Sequence, residues 1–380
     1  MLRAASAAVG VGLAGFPSGH GRTHLELIAD ATAAAARDAG IQVGDIDGIF
    51  TTNLVNFMPA VSVSEYLGLN PRWIDASNIG GASFVHYAMS ATLALSAGLC
   101  DVALLVYGSD AGSNKTPPLS LHEPLLHEAE FGAQFPIAGV ALAASAHMHA
   151  YGTTRAQMAA VALSARRWAA LNPEIPPLPP LSIEQLLAAP YVARPFSIHD
   201  CGQMTDGAAA VIMVASDRAE RYRRPPVYFL GGATAISHRR IAQATSLTTT
   251  LAAQTAPAAF AMAGLAPSDI DVLQLYDGFT IYPILFLEDL GFCDKGKGGP
   301  LVESGAIAPG GRLPVNTNGG SLCSAHPGMY GLFLIAETIR QLRGDGGAAQ
   351  VDGARFGLTH GNGGHLSTQS TAIWGRQPSR

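Results

Sequence analysis

Charge is scarce in this chain: Asp, Glu, Lys and Arg make up 13% of its 380 residues, against 48% hydrophobic. So apolar a composition excludes disorder and leaves broad surfaces suited to an obligate subunit interface. The formal net charge is only −5, and no basic block interleaves with aromatics, which argues against nucleic acid as a partner. Long apolar runs are missing too, and none reaches the roughly 18 residues of a membrane span. The opening stretch MLRAASAAVGVGLAGF is poor in Leu and is followed by no A-x-A site, so it reads as a first strand and not a signal peptide. Cysteine is rare. Cys100, Cys201, Cys293 and Cys323 lack zinc or disulfide-framework spacing, which points to a reducing cytoplasm and to no resident metal. His122 and His127 stand in an H-x-x-x-x-H pattern with no third ligand, the mark of a solvated loop.

What the chain has is length enough for two packed units, and an internal echo. HLELIADATAAAARDAGIQVGDIDGIF, ending at Phe50, is matched by TLAAQTAPAAFAMAGLAPSDIDVLQLYD, ending at Asp277. Each reads as an Ala-rich helix, a Gly stop, a polar turn and a strand, sharing the words AG-(I/L)-x-x-x-DID. The runs DVALLVYGS and AAVIMVAS suit strands covered on both faces. Two similar α/β halves are therefore expected, residues 1–222 and 223–380. A loop-rich insertion interrupts the first from about Asp110 to Pro195, with helices around Tyr151 to Trp168. Pro225 and Pro226 punctuate the junction.

Three Gly-rich stretches follow expected strands: NIGGASF (78–84), NTNGGSLCSAHPGMYG (316–331) and THGNGGHLS (359–367). Glycine there lets backbone N–H groups approach a substrate oxygen. None fits G-x-G-x-x-G or the phosphate-binding loop with its Lys.

These stretches, with AGLCDVALLVYGS (97–109), HAYGTTRAQMAAVALSARRWAALNP (149–173), DCGQMTDGAAAVIM (200–213) and YDGFTIYPILFLEDLGFC (276–293), resemble the thiolase superfamily over nearly the whole chain. Within it the resemblance is closest to the sterol-carrier-protein-type thiolases and the related steroid side-chain-cleaving aldolases. It implies an α-β-α-β-α stack of two similar halves, which accounts for the internal echo. It also implies an acyl-CoA substrate, no further cofactor, a homodimer, and a small OB-fold, zinc-ribbon partner subunit.

The departures from the thiolase pattern bear on chemistry. Where a thiolase carries its nucleophile in N-x-x-C-A-S, this chain has Gly81. Where the sterol-carrier type carries His-Asp-Cys-Phe, it reads Tyr276-Asp277-Gly278-Phe279, so a Gly replaces the second Cys and a Tyr the His. The His-Pro-Gly segment at His326 is kept and runs on to Tyr330. Tyr276, Tyr330 and His326 are thus the expected catalytic groups, with Gly81, Gly278, Gly319, Gly320, His360 and Gly363 expected around the substrate. His360 and His365 flank a Gly run and could also be incidental.

Retro-aldol cleavage of a β-hydroxyacyl-CoA suits this set. It needs a base for the hydroxyl, stabilisation of the departing thioester enolate and a proton for that carbon, but no covalent nucleophile. A Tyr with its ordinary pKa near 10 is a poor base, so His326 would have to lower that pKa or relay the proton. The alternatives are a catalytically silent acyl-CoA-binding subunit or scaffold, and residual thiolase chemistry through Cys323, which otherwise reads as a small buried hydrophobe.

Overall fold

A computed structural model of the chain describes residues 2–16, 18–114 and 127–378. His122 lies outside these residues, and His127 is exposed on the surface.

The first half begins with strand β1 (Ser6–Ala14) and helix α1 (His24–Ala39), followed by β2 (Gly48–Phe50), α2 (Pro59–Leu67) and β3 (Trp73–Asp75). It continues with α3 (Ser83–Ser96), β4 (Val102–Ser109) and a single turn, α4 (Ala111–Asn114). Within the expected insertion lie α5 (Ile137–Tyr151), α6 (Arg155–Ala169) and α7 (Ile183–Ala188), then the hairpin β5 (Tyr191–Ala193) and β6 (Phe196–Ser197). β7 (Gly207–Ala215) returns to the sheet. The remainder is β8 (Val227–Ile236), α8 (Ala252–Ala263), β9 (Val272–Leu275), α9 (Ile281–Asp289), α10 (Gly298–Glu303), α11 (Gly320–Cys323), α12 (Gly331–Arg343), β10 (Phe356–Gly363) and β11 (Thr368–Gly375).

Nine strands form one mixed sheet in the order β3-β2-β4-β7-β1-β8-β11-β10-β9. Counting only strands of this sheet, each side runs outward from the β1–β8 pair through the first, last, penultimate and second strand of its half, and β3 follows β2 at the edge of the first. The repeated words fold alike. α1 and α8 both stop at a left-handed glycine, Gly40 and Gly264, where the missing Cβ removes the steric cost, and each passes through a short turn into β2 or β9. Their Ala-rich faces also have one cause. A Cβ on Gly12 of β1 would fall 2.1 Å from the Ala31 carbonyl oxygen, and one on Gly231 of β8 would fall 2.5 Å from that of Ala259, so helix and strand backbones meet with no side chain between them.

α1 packs on β1, β7 and β4, and α8 on β8 and β11. α3 and α12 touch each other and strands from both halves, so they form the central layer of the α-β-α-β-α thiolase stack. β4 and β7 are buried almost throughout, as strands covered on both faces must be. The N-terminal ends of α3 and α12 and the C-terminal end of β9 meet in this middle layer, which brings the three Gly-rich stretches together.

Candidate active site

Tyr276 is the first residue beyond β9, and its N–H donates to the carbonyl of His360 at 2.9 Å. Its ring stands edge-on to His326, with centroids 5.7 Å apart, and to Tyr330 at 6.2 Å. The three groups expected to carry chemistry therefore meet around one ring. A Cβ built on Gly81 would lie 2.3 Å from Tyr276 Cε2 and 2.6 Å from the Asn362 carbonyl oxygen, so the phenol fills the space a residue-81 side chain would need. Gly331 serves the same closure from the other side, since a Cβ there would fall 2.3 Å from the Gly81 carbonyl.

The Tyr276 hydroxyl lies 3.5 Å from the Gly328 carbonyl, a long contact, and is also hydrogen-bonded by the Tyr330 backbone. Tyr330, at the start of α12, is fully buried and stacks on Phe333, and its hydroxyl receives a hydrogen bond from Asn318 Nδ2 at 2.9 Å. Burial pushes both phenols well above their ordinary pKa, and the nearby Asp277 carboxylate adds to it. Both tyrosines are accordingly proton donors at neutral pH.

His326 is placed by its backbone: its N–H donates to Thr205 Oγ1 at 3.0 Å, and the residue pairs with Met204 across an isolated bridge. The Tyr107 hydroxyl donates to the Pro327 carbonyl and holds the loop from behind. His326 Nδ1 is buried without a partner among the described residues, and its Nε2 edge faces Gly278. Loss of solvent lowers its pKa to about 4, so the ring is neutral and lends no positive charge to lower a phenol. The expected lowering of tyrosine pKa by His326 is therefore absent.

Asp277 was not singled out in the sequence, yet it sits between Tyr276 and the Gly-rich loop. Its Oδ1 accepts the Ser321 N–H at 2.7 Å, while Oδ2 is buried with no donor among the described residues. Burial pushes this carboxyl up to about 6. Asn316 ties the same loop to β9, accepting from Leu275 N–H at 2.7 Å and donating to the Leu275 carbonyl at 2.9 Å. Tyr107, Asn316 and Asn318 all lie in stretches that were legible as site segments, but nothing in their spacing marks them as supports.

Other expected residues have packing roles. A Cβ on Gly319 would meet Ala169 of α6 at 2.8 Å, and one on Gly320 would meet Asp277 Oδ2 at 1.9 Å. Gly363 backs onto the Ile79 carbonyl and Gly80, locking two Gly-rich stretches together. His360 is fully buried within β10, bonded through Nδ1 to Thr371 Oγ1 at 2.9 Å and packed against Phe286. Its carbonyl accepts the Tyr276 N–H. His365 stacks on Phe135 at the β10–β11 turn, apart from the three catalytic candidates. Cys323, half-buried in α11, has its thiol pushed up to about 12 by burial, which leaves it protonated and a poor nucleophile. Among the described residues no group of three or more His, Cys, Asp or Glu is placed to hold a metal ion.

A sheet of two similar halves enclosing paired helices, with Gly-rich loops of both halves converging on Tyr276, His326 and Tyr330, defines an enzyme of thiolase architecture. The comparisons agree: a family profile described as thiolase C-terminal domain-like matches residues 233–376. The chain is 34% identical to an acetyl-CoA acetyltransferase of Methanothermobacter thermautotrophicus over 92% of its length and 94% of that protein. It is 31% identical to the 17-hydroxy-3-oxo-4-pregnene-20-carboxyl-CoA lyase of Mycobacterium tuberculosis, covering 90% and 93% of the two chains. The solved Ltp2-ChsH2(DUF35) aldolase superposes with a TM-score of 0.89 at 28% identity, over 99% of this chain and 98% of that one. The chain belongs to the thiolase superfamily, with relatives among both its thiolases and its steroid side-chain-cleaving aldolases.

Proposed function

We propose that this protein is a carbon–carbon lyase that cleaves a β-hydroxyacyl-CoA by a retro-aldol reaction, with a steroid side-chain thioester as the favoured substrate. The observation that carries the reading is the Tyr276 ring standing where the side chain of a nucleophile at position 81 would have to be, in contact with His326 and Tyr330. Similarity to the acetyltransferase does not carry its activity over, because Gly81 and Gly278 supply no thiol and Cys323 is held protonated. Silent binding or scaffolding is the less favoured reading: a scaffold has no reason to keep a neutral imidazole and a protonated phenol edge to edge.

In this mechanism His326 Nε2 takes the β-hydroxyl proton as the C2–C3 bond breaks, and the β-carbon leaves as a ketone or aldehyde. The bond's electron pair passes to C2 as the thioester enolate. A hydroxyl can give up its proton to so weak a base because its acidity rises as the carbonyl forms. Tyr330 and Tyr276, both kept protonated by burial, donate to the enolate. Tyr276, whose hydroxyl is the less committed, delivers the proton to C2, and the proton held by His326 returns to the phenol to close the cycle. No oxidant and no covalent intermediate is required.

The proposal includes a homodimer and, by analogy with the solved Ltp2-ChsH2(DUF35) aldolase, a small OB-fold, zinc-ribbon partner of the DUF35 kind. The test is incubation of the chain, alone and with such a partner, with β-hydroxyacyl-CoA thioesters, following the released short acyl-CoA and carbonyl product. No cleavage of any of them by the complex would leave the silent-subunit reading in its place.

A further inference from the structure

Resting on the lyase reading, the geometry points to Gly278 as the residue that sets specificity at the β-carbon: its missing side chain opens a niche between His326 and Tyr276 for a second carbon substituent. A Cβ built on Gly278 would have three nearest neighbours, Tyr276 Cε1 at 3.3 Å, His326 Nε2 at 3.8 Å and His326 Cε1 at 3.9 Å. The missing side chain therefore points into the gap between the proton acceptor and the proton donor, and at the nitrogen that serves as the base. The β-carbon must come to this gap, since its hydroxyl has to meet His326 Nε2 while its bond to C2 lies beside Tyr276.

A β-carbon with one carbon substituent besides C2 yields an aldehyde; one with two yields a ketone. The second substituent replaces a hydrogen and needs room for at least a methyl group where the hydroxyl is gripped. Gly278 leaves that room, and its backbone does not fall in the left-handed region, so the absence of a side chain is not forced by the turn. The contrast with Gly81 and Gly320 is informative: there a Cβ would collide at 2.3 Å and 1.9 Å, whereas at 278 it would fit with a shift of a few tenths of an ångström by the tyrosine ring. Gly278 is an unfilled position between Tyr276 and His326, while the other two are steric necessities of the fold.

The test is Gly278→Ala, assayed on a matched pair of thioesters: 3-hydroxy-3-phenylbutanoyl-CoA, which releases acetophenone, and 3-hydroxy-3-phenylpropanoyl-CoA, which releases benzaldehyde. Both break the same C2–C3 bond and release acetyl-CoA. Gly278→Ala is expected to lower kcat/KM at least tenfold on the ketone-forming thioester and less than threefold on the aldehyde-forming one, the retained activity showing that fold and catalytic groups are intact. Equal retention on both substrates, or equal loss with an unchanged circular dichroism spectrum and Tm, would overturn the assignment. If the wild-type chain with its partner cleaves neither thioester nor any larger β-hydroxyacyl-CoA, the lyase reading fails and takes this one with it, an outcome separate from unselective loss.

Discussion

Tyr276 and Gly81 cannot both carry full side chains: a β-carbon on residue 81 would sit 2.3 Å from the tyrosine ring. Restoring the thiolase cysteine should therefore damage this protein without giving it thiolase activity. Gly81→Cys is expected to destabilise the fold by about 1–3 kcal/mol through overpacking and to lower lyase turnover by displacing the phenol. Adding Gly278→Cys should not produce acetyl transfer from acetyl-CoA. Chemical denaturation and a thiolysis assay check both statements, and a stable, thiolytic double variant would refute them.

Turnover should survive loss of every thiol. Burial pushes Cys100, Cys201, Cys293 and Cys323 each up to about 12, and none of them lines the Tyr276–His326–Tyr330 cluster. Replacement of all four by Ala or Ser is expected to leave carbon–carbon cleavage within about tenfold of wild type, the margin allowing for packing losses at the buried sites. Abolition of turnover by Cys323→Ala alone, in a folded protein, would revive the nucleophilic alternative.

How far these conclusions were legible in the sequence depends on what each residue does. The duplicated helix-turn-strand words were plain because the same backbone contact, glycine on strand against alanine on helix, imposes them twice. Tyr276, Tyr330, His326, Gly81 and Gly278 could be read because substitutions at motif positions are visible one residue at a time. The supports could not. Asp277, Asn318 and Tyr107 act through hydrogen bonds to residues outside their own elements, and no periodicity encodes such bonds. What His360 and Gly363 pack against was not legible for the same reason: a Gly-rich stretch announces close approach but not which neighbour approaches.

Asp277 makes a prediction about stability with a defined sign. Its carboxyl is pushed up to about 6 from an ordinary value near 4, so the folded chain holds the proton more tightly than the unfolded one. Folding is then favoured when the group is protonated, and that advantage is lost as pH rises from about 4 through 6. Asp277→Asn removes the buried charge and is expected to be more stable than wild type at pH 8 by about 1–3 kcal/mol, with the difference shrinking toward pH 4. Urea denaturation of both proteins across that range measures it. A difference independent of pH would show that the carboxylate carries no desolvation cost.

The homodimer should form through the outer edge of the first half. β3 is the last strand on that side of the sheet, and Phe57, Met58, Val61, Tyr66, Trp73 and Ile74 on or near it are all exposed. An uncovered strand edge beside such a patch invites pairing with a second copy. Light scattering at micromolar concentration is expected to give a dimer, and Ile74→Asp should shift it toward monomer without unfolding it. A monomeric wild-type chain would remove this interface from consideration.

The tyrosines provide the most direct test of mechanism. Tyr276→Phe keeps the ring that fills the space over Gly81 and edges against His326, and removes only a hydroxyl held by the long 3.5 Å approach to the Gly328 carbonyl and by the Tyr330 backbone. Little stability should be lost, so a fall in rate reports proton transfer and not unfolding. About a hundredfold loss in kcat or more is expected, the scale of a missing acid. Tyr330→Phe breaks the bonds with Asn318 and leaves a half-buried amide short of a partner, so a smaller loss of rate should come with about 1 kcal/mol of destabilisation. The pH profile separates donors from base. With His326 at about 4 and both phenols above their usual range, wild-type kcat should be flat from about pH 7 to 9, and a fall in rate on the acid side should not carry the 6.5 of an ordinary histidine. His326→Ala should lose the reaction in both directions, cleavage and aldol addition, since one base serves each by microscopic reversibility. Wild-type rates in both Phe variants would end the tyrosine mechanism. A basic limb between pH 7 and 9 that vanishes in Tyr276→Phe would show this phenol titrating far below where its burial places it.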